Sequence, residues 1–323
     1  MTGLSPRIPA SRLPRLPNGS IVTVGSFDGV HLGHQAVLRE IGRRARAAER
    51  VSVLVTFDPH PLEVVNPDAA PPLLTTGPER LEILVQSPLD YVVLLRFDRH
   101  VAELTPEQFV RQILVDRCDV RELVIGHDHG FGRGRSGDVE TLRRLGASIG
   151  FGVDVVDAVD VGGQLVSSSR IRRAVAGGDL LTAAAMLGRP YGVVGRVGRG
   201  ERRGRQLGVP TINLGELSPR KLLPPDGIYA VAVEWREGRT GGMMHQGPRP
   251  TFQDGRRVLE AHLFDFDGDL YGEWVRIEWV ERLRDVERFD SVEQLQAQME
   301  SDRTRALAAL RRSQPPTSRV LNA

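Results

Sequence analysis

Two histidines, His31 and His34, stand about one helical turn apart in the stretch GSFDGVHLGH, residues 25–34, directly after the apolar run IVTV at 21–24. The run reads as a strand and the residues beyond it as a helix, so the pair sits at a strand-to-helix corner. There, backbone N–H groups and the positive end of the helix dipole point at one spot, which suits a phosphate. Gly25, Gly29 and Gly33 let the backbone approach such a group, and both imidazoles can face it. The competing readings are a helix start with ordinary surface histidines, or half of a zinc site. Zinc needs more ligands than one cysteine and scattered histidines supply.

Three further segments carry similar residue types, each just past an apolar run: TFDPHP at 56–61, GHDHGFGRGRSGD at 126–138 and SSSRIR at 167–172. Any one of them could be an ordinary loop. Four polar, glycine-rich or hydroxyl-rich loops at strand ends would converge on one crevice.

The second half carries different chemistry. GRVGRGERRGRQLGVPTIN, residues 195–213, holds five arginines and a run of glycines before a strand-like VPTIN. An RNA-binding loop would interleave aromatic residues for stacking, and none lies between 195 and 213. Cradling of phosphate with a metal fits better. Thr211 and Asn213 are two apart on an extended segment and share a face. A hydroxyl and an amide oxygen are hard ligands suited to Mg²⁺, with ATP phosphates completing the coordination. In VLEAHLF, Glu260 and His262 share one face and Leu259, Ala261 and Leu263 the other. A lone strand carboxylate is usually a solvated edge residue; opposite magnesium–ATP, Glu260 becomes a candidate general base.

The elements that must position these groups fall into two sets. Apolar runs at 21–24, 51–57, 91–95, 123–125 and 153–156 read as buried parallel strands. Helical patterns at 37–48, 78–86, 106–117 and 139–145 alternate with them, which predicts a Rossmann-like, doubly wound α/β domain over 20–187. Over 191–281 there are strand signals with almost no helical period. GIYAVAVEW sets Tyr229, Val231, Val233 and Trp235 on one face, and WVRIEWV alternates Val275, Ile277 and Trp279 against Arg276 and Glu278. A small antiparallel barrel with a closing helix, capped at Asp290-Ser291 and running to about Arg312, is predicted over 188–312. Residues 1–19 read as a flexible lead-in without the apolar core of a signal peptide, and 313–323 as a disordered tail.

Composition narrows the classes. Of 323 residues, 40% are apolar and 26% charged, and a length beyond one ordinary core predicts two domains. No run of about 18 apolar residues occurs, so no membrane partner is expected. The net charge of +2 is small for a dedicated nucleic-acid binder. Cys118 is the only cysteine, which excludes an internal disulfide and fits a cytoplasmic setting. Lys221 is the only lysine and lies in PRKLL, so a P-loop lysine is excluded and a Schiff-base lysine has nothing to recommend it. Phosphate chemistry must therefore use backbone N–H groups, arginine, histidine or a metal. The arginine bias itself reads as genomic base composition, and an oligomer is neither required nor excluded.

HxGH at 31–34 with SSSR at 167–170 resembles the nucleotidyltransferase superfamily, and the whole set resembles the bacterial bifunctional riboflavin kinase/FAD synthetases. Their G-x-F-D-G-V-H-x-G-H, T-F-x-P-H-P, G-x-D-F-x-F-G and I-S-S-T-R-I-R motifs match residues 25–34, 56–61, 126–132 and 166–172. Their kinase motifs G-x-P-T-x-N, R-P-T-F and E-x-H-L match 208–213, 249–252 and 260–263, and D-x-x-G-D-L-Y-G matches 265–272 loosely. Three departures matter: His129 replaces phenylalanine, Ser169 replaces threonine, and the segment with His245-Gln246 stands where the family has N-x-G.

The resemblance runs from about Ile21 to Arg311 and implies two activities, riboflavin plus ATP giving FMN, then FMN plus ATP giving FAD and pyrophosphate. It implies Gly25, Phe27, Asp28, Gly33, Asp58, Ser168 and Ser169 at the adenylylating nucleotide, with His31, His34 and Arg170 stabilising charge. It further implies Asp128 and Phe131 at flavin, Gly200, Gly204 and Gly208 at the kinase ATP, Thr211 and Asn213 on Mg²⁺, and Glu260 as base. Retention of one activity alone, or a flavin- or RNA-binding regulator without chemistry, remain the alternatives.

Overall fold

The computed structural model describes residues 16, 18–126, 138–198, 211–215, 217–248 and 257–313. Almost all of the lead-in and the tail beyond Ser313 lie outside these residues. The chain divides into two compact units, Met1–Ile171 with Met186–Gly188, and Arg172–Ala185 with Arg189–Ala323.

Five strands build the first unit: β1 (Ser20–Val24), β2 (Val51–Asp58), β3 (Tyr91–Arg96), β4 (Val120–Gly126) and β5 (Gly152–Val156). They pair in parallel in the order β3-β2-β1-β4-β5. All five fall where the apolar runs predict them. The period of two divides their side chains between two cores. Val22, Val24, Val53, Val55 and Ile125 join Phe109, Ile113 and Leu142 on one face. Ile21, Leu54, Val92 and Val124 join Leu38, Ile41, Ala45 and Leu84 on the other. β1 is buried at all five positions, so it shows no alternation of buried and exposed residues; its two hydroxyl residues, Ser20 and Thr23, are buried as well, and Ser20 Oγ donates to Cys118 O. The strand order reverses between β1 and β4, so the crevice at their carboxyl ends is the expected ligand position.

The helices α1 (Leu32–Ala47), α2 (Pro61–Val65), α3 (Gly77–Val85), α4 (Arg99–Glu103), α5 (Pro106–Phe109) and α6 (Val139–Ile149) connect these strands. α1 begins at Leu32, five residues before the periodic pattern at 37–48, because His31 caps it. The helix expected over 106–117 is α-helical only to Phe109 and continues as a π-helix over Val110–Val115. A short hairpin, β6 (Asp160–Val161) with β7 (Gln164–Leu165), was not legible as strand; Gly162 and Gly163 turn it with φ of 59° and 76°. Helices α7 (Ser168–Ala176) and α8 (Leu180–Leu187) follow.

In the second unit β8 (Gly192–Gly198), β9 (Thr211–Leu214), β10 (Gly227–Trp235), β11 (Gly238–Pro248), β12 (Arg257–Leu263) and β13 (Trp274–Arg284) close a barrel in the order β10-β11-β12-β9-β8-β13. Tyr229, Val231, Val233, Met244, Ala261, Ile277 and Trp279 fill its lumen. The alternation expected in β10 is blurred, since Ala230 and Ala232 are buried as well. The closing helix α9 (Val292–Ser313) explains Ala230: its Ala306 and Ala309 pack with Ala230, Met243, Phe264 and Leu283 on the outside of the barrel. Ser291 Oγ caps α9 by accepting from Gln294 N at 3.3 Å. Arg284 Nη2 meets Asp302 Oδ2 at 2.8 Å where both are nearly buried, fixing α9 to β13.

Candidate active sites

At the carboxyl end of β1 the chain turns sharply. Phe27, Gly29 and Val30 all have positive φ, 50°, 83° and 39°. For a β-branched residue such as Val30 that region costs on the order of 1–3 kcal/mol, so surrounding bonds must hold it. Asp28 supplies them. It is fully buried; Oδ2 accepts from Leu74 N at 3.0 Å, and Oδ1 from Thr75 N at 2.8 Å and Thr75 Oγ1 at 3.1 Å. Gly29 N donates to Thr75 Oγ1 at 2.9 Å. The carboxylate of Asp28, expected at the nucleotide, thus faces into the protein and shapes the corner from beneath.

Above it, His31 accepts from His34 N at Nδ1, 3.3 Å away, and so caps α1. In the neutral ring this places the proton on Nε2, as a donor. The two imidazoles stack with centroids 3.6 Å apart and planes 14° apart, and Phe27 backs His34 at 4.5 Å. A Cβ on Gly33 would stand 3.2 Å from the His31 ring, so glycine gives the ring its place.

Neighbouring motifs are tied to this corner. Ser168 Oγ donates to Asp28 O at 3.0 Å, bringing the first turn of α7 beside the histidines. Ser167 Oγ accepts from Arg170 N at 3.4 Å, Arg170 Nη1 reaches Gln164 Oε1 at 3.3 Å, and Ser169 is exposed. Gly25 N donates to Val55 O, and Thr56 Oγ1 to Ser26 O, joining β2 to the same place. Asp58 ends β2 half-exposed, 3.8 Å from Arg80, which is itself almost fully buried and donates to Phe57 O at 2.6 Å. Burial holds the Arg80 guanidinium below its usual pKa. Neither Thr75 nor Arg80 carries a sequence signal; only a T-x-x-E capping box at Thr76–Glu79 marks their helix. Asp128, His129 and Phe131 lie outside the described residues.

In the second unit the site stands on strands. Ile212, Leu214, Leu259, Ala261 and Leu263 point into the lumen, so Thr211, Asn213, Glu260 and His262 project outward. Asn213 is directly opposite Glu260 and Thr211 opposite His262. Thr211 Oγ1 donates to Glu260 Oε1 at 2.6 Å. On the other side of Glu260, and directly opposite it, is His245 of β11. Its Nε2 is buried and has no hydrogen-bond partner among the described residues. Burial pulls the imidazole below its usual pKa, against the opposing pull of the Glu260 carboxylate. Gln246 points the other way, into the lumen, where its amide donates to Pro224 O and Pro225 O and accepts from Trp279 Nε1 at 3.0 Å. The two halves of that departure from the family pattern therefore sit on opposite faces of one strand. Gly200, Gly204, Gly208 and the RPTF segment at 249–252 are outside the described residues.

One unit is a doubly wound sheet with a histidine-capped corner and the other a closed barrel with a polar row on its outer face, so each unit carries a candidate site of its own. The family model for FAD synthetase matches residues 13–170 and that for riboflavin kinase residues 187–310. The bifunctional riboflavin kinase/FMN adenylyltransferase of Escherichia coli K12 is 37% identical over 285 residues, covering 88% of this chain and 90% of that protein. The protein of the same description from Pseudomonas fluorescens is 38% identical over 294 residues, covering 90% and 94%. A crystal structure described as a macrolide-efflux protein from Streptococcus pneumoniae superposes with a TM-score of 0.82 at 32% identity, covering 93% of this chain and 98% of that one. Among the described residues no helix is long and apolar enough to cross a membrane. The chain belongs to the bifunctional riboflavin kinase/FMN adenylyltransferase family.

Proposed function

We propose that the chain phosphorylates riboflavin with ATP on the outer face of the barrel and adenylylates FMN with a second ATP at the β1–α1 corner, giving FAD and pyrophosphate. The domain division that follows is 20–187 for adenylyl transfer and 188–312 for the kinase, which the matches at 13–170 and 187–310 support. A single cysteine can form no internal disulfide, which suits a cytoplasmic setting.

At the corner, an FMN phosphate oxygen attacks the α-phosphorus of ATP and pyrophosphate leaves. The nucleophile is already anionic, so the protein must stabilise charge rather than remove a proton. His31 donates from Nε2, since Nδ1 is engaged by His34 N. The stacking of His34 on His31 fixes both rings. Ser168, Ser169 and Arg170 bring the start of α7 and a positive charge to the same phosphates. Gly25, Phe27, Gly33 and Asp58 line the nucleotide, and Asp28 acts through the corner it holds. Asp128 and Phe131 belong to the flavin side on the strength of their motif.

In the barrel, a ribityl hydroxyl attacks the γ-phosphorus of ATP. An alcohol is a weak nucleophile, so Glu260 accepts its proton. Thr211 holds that carboxylate in place. Its hydroxyl proton is engaged, which leaves oxygen lone pairs for a cation, and Asn213 adds an amide oxygen opposite Glu260. Among the described residues no group of three or more His, Cys, Asp or Glu could hold a metal ion. The Thr211 hydroxyl and the Asn213 amide oxygen are hard donors that fit Mg²⁺ arriving with ATP, which would supply charge neutralisation on the phosphates. Gly200, Gly204 and Gly208 are the proposed backbone approach to those phosphates.

The observation that carries this reading is the Thr211–Glu260 hydrogen bond with Asn213 in register, a hydroxyl, a carboxylate and an amide gathered from distant segments onto one face. The test is a chromatographic time course with riboflavin, ATP and Mg²⁺. FMN is expected first and FAD after it; FMN alone removes the adenylylation half, and no turnover removes both.

A further inference from the structure

The row across the outer face of the barrel runs Ile228, His245, Glu260, Asn213. Thr211, Asn213 and Glu260 all have a place in the kinase reading; His245 does not. Directly opposed residues of an antiparallel pair have Cβ atoms about 4.5–5.5 Å apart, so the imidazole lies against the Glu260 side chain. Glu260, Asp226 and Arg284 are the charged groups that reach the ring. Its Nε2 is buried and makes no hydrogen bond among the described residues. Burial favours the neutral ring, in which one nitrogen is an acceptor. With Nε2 as that acceptor, it and the Glu260 carboxylate lie side by side on neighbouring strands, the nitrogen buried. A buried acceptor beside a carboxylate calls for a donor brought from outside the protein, and successive hydroxyls of a polyol chain supply one to each.

We propose that His245 is a substrate-contacting residue of the kinase site, its Nε2 accepting from a hydroxyl of the ribityl chain and so presenting that chain to Glu260. The assignment rests on the kinase reading of the barrel. It makes His245 a reader of the polyol chain, with no part in holding ATP.

The experiment compares His245→Leu and His245→Asn in the full chain, measuring phosphorylation kinetics and the binding of riboflavin and of lumiflavin, which has the ring without the ribityl chain. For His245→Leu, kcat/KM for riboflavin is expected to fall about tenfold, the value of one neutral hydrogen bond. The loss should lie in the KM for riboflavin, with the KM for ATP and the affinity for lumiflavin unchanged. His245→Asn, which restores an acceptor, should recover most of it. An unchanged kcat/KM for riboflavin overturns the proposal. So does an equal loss of lumiflavin binding, which would make His245 a support of the barrel. Glu260→Gln separates the two claims. If it phosphorylates riboflavin normally, the kinase reading itself fails; if it is inactive while His245→Leu is normal, only the role of His245 fails.

Discussion

The two proposed sites are built by opposite means. In the first, the proposed phosphate-binding groups lie on loops past parallel strands, at the starts of α1 and α7. Their placement depends on a strained corner that a buried carboxylate holds from behind. In the second, Thr211, Asn213, Glu260 and His245 stand on the strands themselves, and the register places them. A loop site is tied together by side-chain-to-backbone bonds and is as firm as those bonds. A strand site inherits the rigidity of the sheet, and neighbouring positions of the ladder fix its geometry. Substitutions should therefore separate cleanly by unit, and damage should spread further within the loop site.

The largest effect is expected at Glu260. Glu260→Ala should lower riboflavin phosphorylation about 10²–10⁴-fold, the usual worth of a general base. Adenylylation of supplied FMN should continue unchanged, because Glu260 belongs to the strand site alone. Loss of both activities in a folded variant would break the separation. In the mirror experiment, His34→Ala should lower FAD formation about 10²–10³-fold, as removal of a charge-stabilising donor does, with FMN formation intact. His31→Asn sharpens this result. Asparagine is a good cap for α1 but lacks the Nε2 donor, so the variant should melt like the parent while forming little FAD. A variant as active as the parent would leave His31 with a capping role only.

Asp28 tests whether the corner is held as described. Asp28→Asn leaves at least one of the Leu74 and Thr75 donors without its acceptor, at a cost of about 1–3 kcal/mol. FAD formation should fall with it while riboflavin phosphorylation persists, and denaturant unfolding with both assays checks this. An equally stable variant with full FAD synthesis would show that the corner keeps its shape without the carboxylate.

The same contrast decides what could be read beforehand. Thr211, Asn213, Glu260 and His262 share a face because strands repeat every two residues, so spacing alone was enough to group them. The five parallel strands were legible for the same kind of reason, as unbroken apolar runs. Spacing said less about the loop site. HxGH marked a helix start, yet nothing in the sequence showed that His31 caps α1 and stacks on His34. The family resemblance places Asp28 at the nucleotide; its burial against Thr75, 47 residues away, is a long-range contact that no local pattern carries. Arg80 was invisible, since a buried guanidinium reads locally as one more charged helix residue. The mixed character of His245-Gln246 needed the strand's two faces to be told apart.

The smallest expected effect concerns how α1 itself is anchored. Arg44 Nε meets Glu40 Oε1 at 2.7 Å, its Nη1 meets Glu122 of β4, and its Nη2 meets Asp154 of β5, so one guanidinium pins α1 to the sheet. Hydrogen bonds from Arg43 and Arg44 hold the Glu40 carboxyl down to about 2 from its usual 4.5. A lowered carboxyl pKa adds stability above the usual value, and that stability is lost as pH falls from there through the lowered one. The cluster is partly exposed, so solvent screening limits its contribution to about 1 kcal/mol or less. Urea unfolding of Glu40→Gln against the parent should show that difference at about pH 6 and a shrinking one toward about pH 3. A difference that holds constant with acidification would mean Glu40 acts through packing rather than charge. The anchoring of α1 would then fall to Arg44 with Glu122 and Asp154, and the histidine corner would rest on the sheet side of that cluster alone.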